Sequence, residues 1–299
     1  MKISLFLLCF VNILYSQIQL AGVQYSNFLP AKITNANIGQ EAGFQELGVF
    51  VHLPKKLKNG KTVLINGLDY GRGQSLLTDF PQFEERKSNK SFQSISYSLT
   101  VLQAINPKWN LLIRIKPTIA SDFKADLSGG DFLFLGTALA TRKLGHNTVL
   151  GGGLAYTTQT GEPLVLPVIK FQNKNERHDL DMLLPSRIRY LQGIGAGNTF
   201  SIGGQIQTNG GNYHISVTDQ SASNPRVFDR LIYSRTVAGL LANVRIRQAF
   251  FLELSGGYTI ARAFKLQADD VPLLGFLIDN GPFFSVGVSF TPKPVEVGE

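Results

Sequence analysis

From Asn110 to Ser121 the chain keeps a two-residue rhythm. Leu111, Ile113, Ile115, Pro117 and Ile119 fall on one parity, while Arg114, Lys116 and Thr118 fall on the other. A β-strand sends successive side chains to opposite faces, so this stretch has one greasy face and one charged face. An α-helix, with its 3.6-residue period, would mix the two. The rhythm recurs over 92–102, where Ile95, Tyr97, Leu99 and Val101 alternate with Ser94, Ser96, Ser98 and Thr100.

Further segments of this kind lie at 18–28, 42–53, 62–72, 131–143, 148–159, 164–172, 177–184, 186–192, 199–209, 229–246, 250–262 and 282–291, fourteen in all with the two above. The pair 177–184 and 186–192 is the least defined, and merging it with its neighbours gives twelve. Between the segments, connections alternate in length. Short ones fall at 55–61, 106–108, 145–147, 173–176, 193–198 and 247–249, and long polar ones at 29–41, 73–91, 210–228 and 263–281. Tight turns at one rim and long loops at the other are the habit of transmembrane barrels, whose short turns face the periplasm.

The segments are too short and too interrupted for membrane helices, which need roughly 20 apolar residues. Sheet exposed to lipid cannot leave an edge unpaired, because every unsatisfied backbone group costs several kcal/mol in hydrocarbon. The fold class expected is therefore all-β: one closed, antiparallel, up-and-down transmembrane barrel of about 12–14 strands. Composition agrees. Charged residues make up 17% of the 299 positions, with 30 Gly and 21 Phe, too apolar and aromatic for disorder and too poor in charge for an ordinary soluble helical enzyme.

Residues 1–16 read as an export signal, with Lys2 before an apolar run from Ile3 to Tyr15 and cleavage expected after Ser16, leaving 17–299 as the barrel domain. Cys9, the sole cysteine, lies inside that signal, so the exported chain is expected to carry no disulfide, thiolate metal site or cysteine nucleophile. Loss of Lys2 takes the formal charge from +8 to +7. In an exported chain that balance favours anionic membrane surface or anionic solutes as partners over nucleic acid.

Aromatic residues follow three of the short turns: Trp109, Phe200, and the pair Phe250 and Phe251. At the rim of a barrel they would form an interfacial girdle at headgroup level; ordinary core aromatics are the alternative.

The block from Leu180 to Tyr213 adds a resemblance. It runs through a Leu184-Pro185-Ser186-Arg187 turn, a basic strand from Arg187 to Leu191, a Gly-containing strand from Phe200 to Gln207 and a loop at Gly210-Gly211-Asn212-Tyr213. It resembles a recurring block of an uncharacterised family of bacterial outer-membrane β-barrel proteins, a domain of unknown function. The resemblance implies a barrel in the outer membrane, with membrane lipid and the barrel-assembly machinery as partners, and it implies no reaction. The carboxyl end departs from the usual barrel pattern, since Thr291 to Glu299 follow the alternating stretch Phe283 to Phe290 instead of a terminal aromatic residue.

Catalytic signatures are missing: there is no Gly-x-Ser-x-Gly elbow, no His-Glu-x-x-His and no phosphate-binding Gly-x-x-x-x-Gly-Lys-Ser/Thr loop. Gly193-Ile194-Gly195-Ala196-Gly197 precedes a strand, so a plain turn is expected there. Gly151-Gly152-Gly153 and Gly203-Gly204 sit inside strand patterns and read as points of curvature. His52, His146, His178 and His214 are too scattered to form a metal pair, and no cofactor or metal is expected. His214, with Ser216 and Asp219 nearby, is the one handhold for a hydrolase, and nearness in sequence does not make a triad.

The basic residues say more. Arg114 and Lys116, Arg187 and Arg189, and Arg245 and Arg247 lie two apart, so each pair shares a face of its strand. A cation at mid-membrane on the lipid face costs about 2–4 kcal/mol, so the pairs are expected in the lumen or at a rim. Glu46, Asp69, Asp181 and Glu253 are candidate counter-charges. Such a lumen would favour small anionic solutes. The same residues equally suit Arg–carboxylate pairs that fill a closed interior, and both readings stay open at this point.

Overall fold

The computed structural model describes residues 19–34, 39–79, 87–158, 163–218, 227–268 and 271–292. Residues 1–16, read above as an export signal and containing Cys9, and Asp219 and Lys293 to Glu299 lie outside them. Four ascending-descending strands open the barrel: β1 Ala21–Lys32, β2 Glu41–Lys56, β3 Thr62–Thr78 and β4 Lys87–Ala104. Then come β5 Trp109–Ser121, β6 Phe132–Lys143, β7 Thr148–Thr157, β8 Leu164–Lys174, β9 His178–Leu184 and β10 Arg187–Ile194. Three long strands follow, β11 Phe200–Thr218, β12 Val227–Arg247 and β13 Phe250–Ala268, and β14 Val271–Leu277 and β15 Pro282–Phe290 finish the set.

Each strand from β1 to β13 pairs antiparallel with the next, and β13–β15 and β15–β1 pairings close the ring. β14 and β15 are two halves of one stave. Ala263 of β13 faces Leu277 of β14 and Tyr258 faces Pro282 of β15, so the register runs through the interruption without a slip. At the break Ile278 bridges Ile33 beyond β1, and Thr34 Oγ1 donates to Asp279 Oδ1 at 2.8 Å. The result is a closed barrel of fourteen staves, each paired with both of its neighbours. β9 and β10 are separate strands joined at Pro185 and Ser186, which settles fourteen over twelve.

The alternation acts as expected in the half nearest the short turns. Ile113 and Ile115 are exposed on the outside while Arg114 and Lys116 turn inward; on β2, Leu47, Val49, Val51 and Leu53 are exposed outward and His52 points in. β6 to β10 are 7–12 residues long, close to the roughly 9–11 that a tilted strand needs to cross hydrocarbon. Tight contact explains two of the strand glycines. A Cβ at Gly203 would sit 1.8 Å from the Tyr190 carbonyl oxygen, and one at Gly153 2.0 Å from that of Ala138.

The other half differs from expectation, because the segments read as long loops are largely strand. β3 runs to Thr78, β4 starts at Lys87, β11 runs to Thr218, β12 starts at Val227, and β14 lies wholly within 263–281. The Gly210-Gly211-Asn212-Tyr213 block, read as a loop, is in the middle of β11. The physical reason is an inversion of polarity along unbroken strands. On β11 the inward parity changes from Gln205, Gln207 and Asn209, which line a cavity, to buried Tyr213, Ile215 and Val217. On the outward parity, exposed Ile202 and Ile206 give way to Asn212, His214 and Ser216. The barrel wall is membrane-like near the short turns and then acquires an apolar interior.

That interior holds Phe28, Phe44, Phe92, Tyr213, Tyr233, Phe264 and Phe276 among its buried residues. Ring contacts join them: Phe92 to Tyr213 at 4.7 Å between centroids, Tyr213 to Tyr233 at 6.2 Å, Tyr233 to Phe44 at 5.0 Å and Phe264 to Phe276 at 4.5 Å. Above the short strands β6 to β10, β5 and β11 meet directly, with Ser121 and His214 in a parallel bridge. The base thus has fourteen staves, and the upper part closes on nine: β1 to β5 and β11 to β14.

Candidate functional site

Below the aromatic core two adjoining cavities of about 630 and 540 Å³ occupy the lumen, sharing Gln19, Arg187 and Arg189 in their walls. The larger reaches the short-turn rim, where Asn175, Glu176, Arg177 and Asn198 line it. The smaller ends against Phe28, Tyr213, Tyr233 and Phe283, which belong to the apolar core. Taken together the lumen is a polar cup, open toward the short turns and stopped at the other end by aromatic side chains.

The strand pleat places the cations expected here. Arg114, Arg187, Arg189 and Arg245 line the larger cavity, and Lys116, Arg187, Arg189 and Glu253 line the smaller. Arg247 lines neither and is exposed at the β12–β13 turn. Lys174 and Arg177 join the larger cavity, and Arg72 and Arg235 the smaller. The two walls therefore hold nine Lys and Arg against Glu46, Glu176, Asp179, Asp181 and Glu253. Arg235 escaped the sequence reading because no second cation lies two residues from it. Its parity, shared with Asn243 and Arg245 on the same strand, is the signal that would have found it.

Part of this charge is compensated. Arg187 Nη2 lies 2.8 Å from Asp181 Oδ2, Arg189 Nη2 lies 3.0 Å from Glu253 Oε2, and Lys116 Nζ lies 3.1 Å from Asp69 Oδ2. Asp181 also meets Lys170, and Lys174 lies 3.3 Å from Asp179. Arg114, Arg177 and Arg245 have no carboxylate partner among the described residues. Arg114, Arg187 and Arg245 each keep a buried Nε with no acceptor. The four counter-charges expected from the sequence are all engaged, so the walls contain ion pairs and leave an excess of cations as well.

At the top of the cup Arg235 Nη1 donates to Glu46 Oε1 at 2.9 Å, and Tyr233 donates its hydroxyl to the same oxygen. The Arg235 guanidinium also lies over the Phe28 ring, 3.8 Å from its centroid, which joins the polar cup to the aromatic core. Arg262, its cross-strand partner, is buried and donates to the carbonyls of Leu29 at 3.0 Å and Ala42 at 3.3 Å.

The histidines take separate places. His52 and His178 line the larger cavity, His146 is exposed in the β6–β7 turn, and His214 is at the β5–β11 seam. His214 Nδ1 lies 3.0 Å from Asp131 Oδ1, and Asp131 in turn accepts from the Ser128 backbone N–H at 2.6 Å and from Ser128 Oγ at 3.1 Å. Burial would raise the Asp131 carboxyl, but hydrogen bonds from Ser121 and the Ser128 backbone, with the His214 charge, outweigh it and hold it below the usual aspartate range. Among the described residues no hydroxyl is hydrogen-bonded to His214 Nε2. Ser216, the neighbour singled out in the sequence, is exposed and contributes its backbone N–H to Asp122 at 3.1 Å. Among the described residues no three His, Cys, Asp or Glu side chains converge as metal ligands would.

Trp109, Phe200 and Phe250 are exposed beside the short turns, where a girdle would lie. Phe251 is the exception. One residue on, the pleat turns it into the lumen, where it lines the larger cavity.

Solved structures similar to this chain are outer-membrane barrels. The translocator domain of autotransporter NalP from Neisseria meningitidis is 15% identical with a TM-score of 0.37, over 92% of this chain and 89% of that one. The toluene transporter TodX of Pseudomonas putida is 11% identical with a TM-score of 0.41, over 90% and 88%. Outer membrane phospholipase A from Escherichia coli is 11% identical with a TM-score of 0.35, over 92% and 98%. No functionally curated protein matches the sequence. The family model described as "Domain of unknown function (DUF6268)" matches residues 12–274, and the chain belongs to that family.

Proposed function

We propose that the protein is a bacterial outer-membrane barrel, exported by a cleaved signal, that takes up small anionic solutes into its lumen and acts as a carrier. The observation that bears most weight is the cationic cup reaching the short-turn rim, with nine Lys and Arg in its walls against five carboxylates. Short turns of such barrels face the periplasm, so the cup faces that compartment. A low-dielectric wall around uncompensated cations attracts anions and repels cations. The aromatic core across the other end favours a carrier that opens intermittently over a pore that stands open.

The test uses the purified, refolded protein in planar bilayers and in proteoliposomes. Wild-type protein is expected to show no steady open-channel current, yet to speed the exchange of labelled organic anions over that of matched cations. Silence in both assays overturns the carrier. It would favour the second reading, a non-conducting structural or surface-binding barrel, which draws its support from that same aromatic core.

A further inference from the structure

We infer that the larger cavity is a binding site for a small organic anion carrying two or more negative charges, with Arg114 and Arg245 as its free anchors and Arg187 and Arg189 beside them. The inference deepens the carrier reading and rests on it for the compartment from which the ligand enters.

Four observations converge. The first is uncompensated charge on separate strands. Arg114 on β5 and Arg245 on β12 have no carboxylate partner among the described residues and share the wall of one cavity with the ion-paired Arg187 and Arg189 of β10. The Arg114 side chain forms no hydrogen bond or ion pair with any described residue, and Arg245 spends one Nη on the Gly197 carbonyl at 2.9 Å. Guanidiniums fixed on facing walls and lacking carboxylates match an anion that presents oxygens in more than one direction.

The second is how the ion pairs are placed. Asp181 occupies Arg187, and Glu253, which lines only the smaller cavity, occupies Arg189. Six cations in the larger cavity therefore stand against Glu176, Asp179 and Asp181 in its own wall and Glu253 on Arg189, an excess of two. A monoanion would leave half of that excess unmatched, whereas a dianion meets it.

The third is size. A cavity of about 630 Å³ is within the roughly 300–1,000 Å³ typical of sites for organic ligands and far exceeds the need of a bare oxoanion. Gln172, Asn175 and Ser201 in its wall can hydrogen-bond hydroxyl groups of such a ligand.

The fourth is the route in. Ten Lys and Arg fall in the six short turns or within two residues of them, against Glu176 and Asp179 alone. The rim from which the cavity is reached is itself cationic, and electrostatic focusing of this kind raises the local concentration of anions at a mouth.

Titration calorimetry on refolded protein in zwitterionic detergent tests the site, with glucose 6-phosphate, citrate, inorganic phosphate and glucose as probes. Glucose 6-phosphate or citrate should bind saturably at low salt, glucose should give no heat, and phosphate should bind more weakly than either organic anion. Arg114→Gln and Arg245→Gln should each weaken binding by about tenfold or more, and Arg114→Lys by less. Slow, unboiled gel migration of each variant checks that the barrel has formed. Equal affinity of wild type and the double glutamine variant, or no binding of either organic anion, overturns the site. Phosphate binding as tightly as glucose 6-phosphate overturns the organic ligand. Binding without flux would count against the carrier and leave the site standing, whereas flux indifferent to Arg114 and Arg245 would do the reverse.

Discussion

Ser121 and His214 form a parallel bridge although five strands, β6 to β10, stand between β5 and β11 around the base of the barrel. The Asp122 N–H donates to the His214 carbonyl at 2.9 Å, and Asp122 Oδ2 accepts from the Ser216 N–H at 3.1 Å. With the Asp131–His214 contact these bonds fasten the connection between β5 and β6 onto β11. The seam lets a wide membrane ring narrow to nine staves and carry an apolar core.

The first prediction concerns that seam and pH. The Asp131 carboxyl is held below its ordinary value of 3.8, so its contribution to the folded state is complete above that pH and fades as pH falls through the lower folded value. Hydrogen exchange over 121–131 should therefore be slow at neutral pH and accelerate only in acid below about pH 4. Asp131→Asn should abolish that acid step and destabilise the seam at pH 7 by about 1–3 kcal/mol, the usual cost of stripping a buried hydrogen-bond network of one partner. Exchange that is fast at neutral pH in the wild-type protein would refute the clip.

The second concerns the stopper of the lumen. Arg235 and Arg262 are cross-strand neighbours, both buried, and Glu46 is the carboxylate that meets Arg235. Glu46→Gln leaves two buried guanidiniums without that counter-charge and should cost about 3–5 kcal/mol, seen as a lower denaturant midpoint for the refolded barrel. Replacing both partners, as Glu46→Leu with Arg235→Met, should recover most of the loss, because well-packed apolar groups avoid the desolvation of a buried pair. Equal losses in the single and double variants would show that shape, and not charge, holds the stopper.

What could be read from the sequence follows from the same physics. Where the wall faces lipid, apolar residues must point outward and polar ones inward, and the parity of Ile113 against Arg114 exposes this without any coordinates. Fourteen strands and the six short turns were legible on that basis. The upper barrel was not, because its parity is reversed. In β11 Tyr213, Ile215 and Val217 continue the inward parity of Gln205 and Gln207, and the change from polar to apolar along one face looks like the end of a strand. The Asp131–His214 contact was hidden for a different reason: its partners are 83 residues apart and meet only because the intervening strands are short. Arg–carboxylate pairing was open for the same reason, since pleat parity assigns a face to Arg189 and to Glu253 but no distance between strands that are not neighbours.

The last prediction tests the orientation of the wall itself. Ile115 pairs with Leu99 and Gly136 at mid-strand, is exposed on the outer face, and lies between inward Arg114 and Lys116. In lipid vesicles Ile115→Lys should cost about 2–4 kcal/mol of folding free energy, the depth-dependent penalty for a cation facing hydrocarbon, although lysine is already tolerated one residue away. A wall standing in water would take the same substitution within about 0.5 kcal/mol, as exposed positions of soluble proteins do. Urea unfolding of the two proteins in vesicles separates the cases. A change near zero would remove the hydrocarbon from around β5, and with it the reason for the two-residue rhythm that shapes the lower barrel.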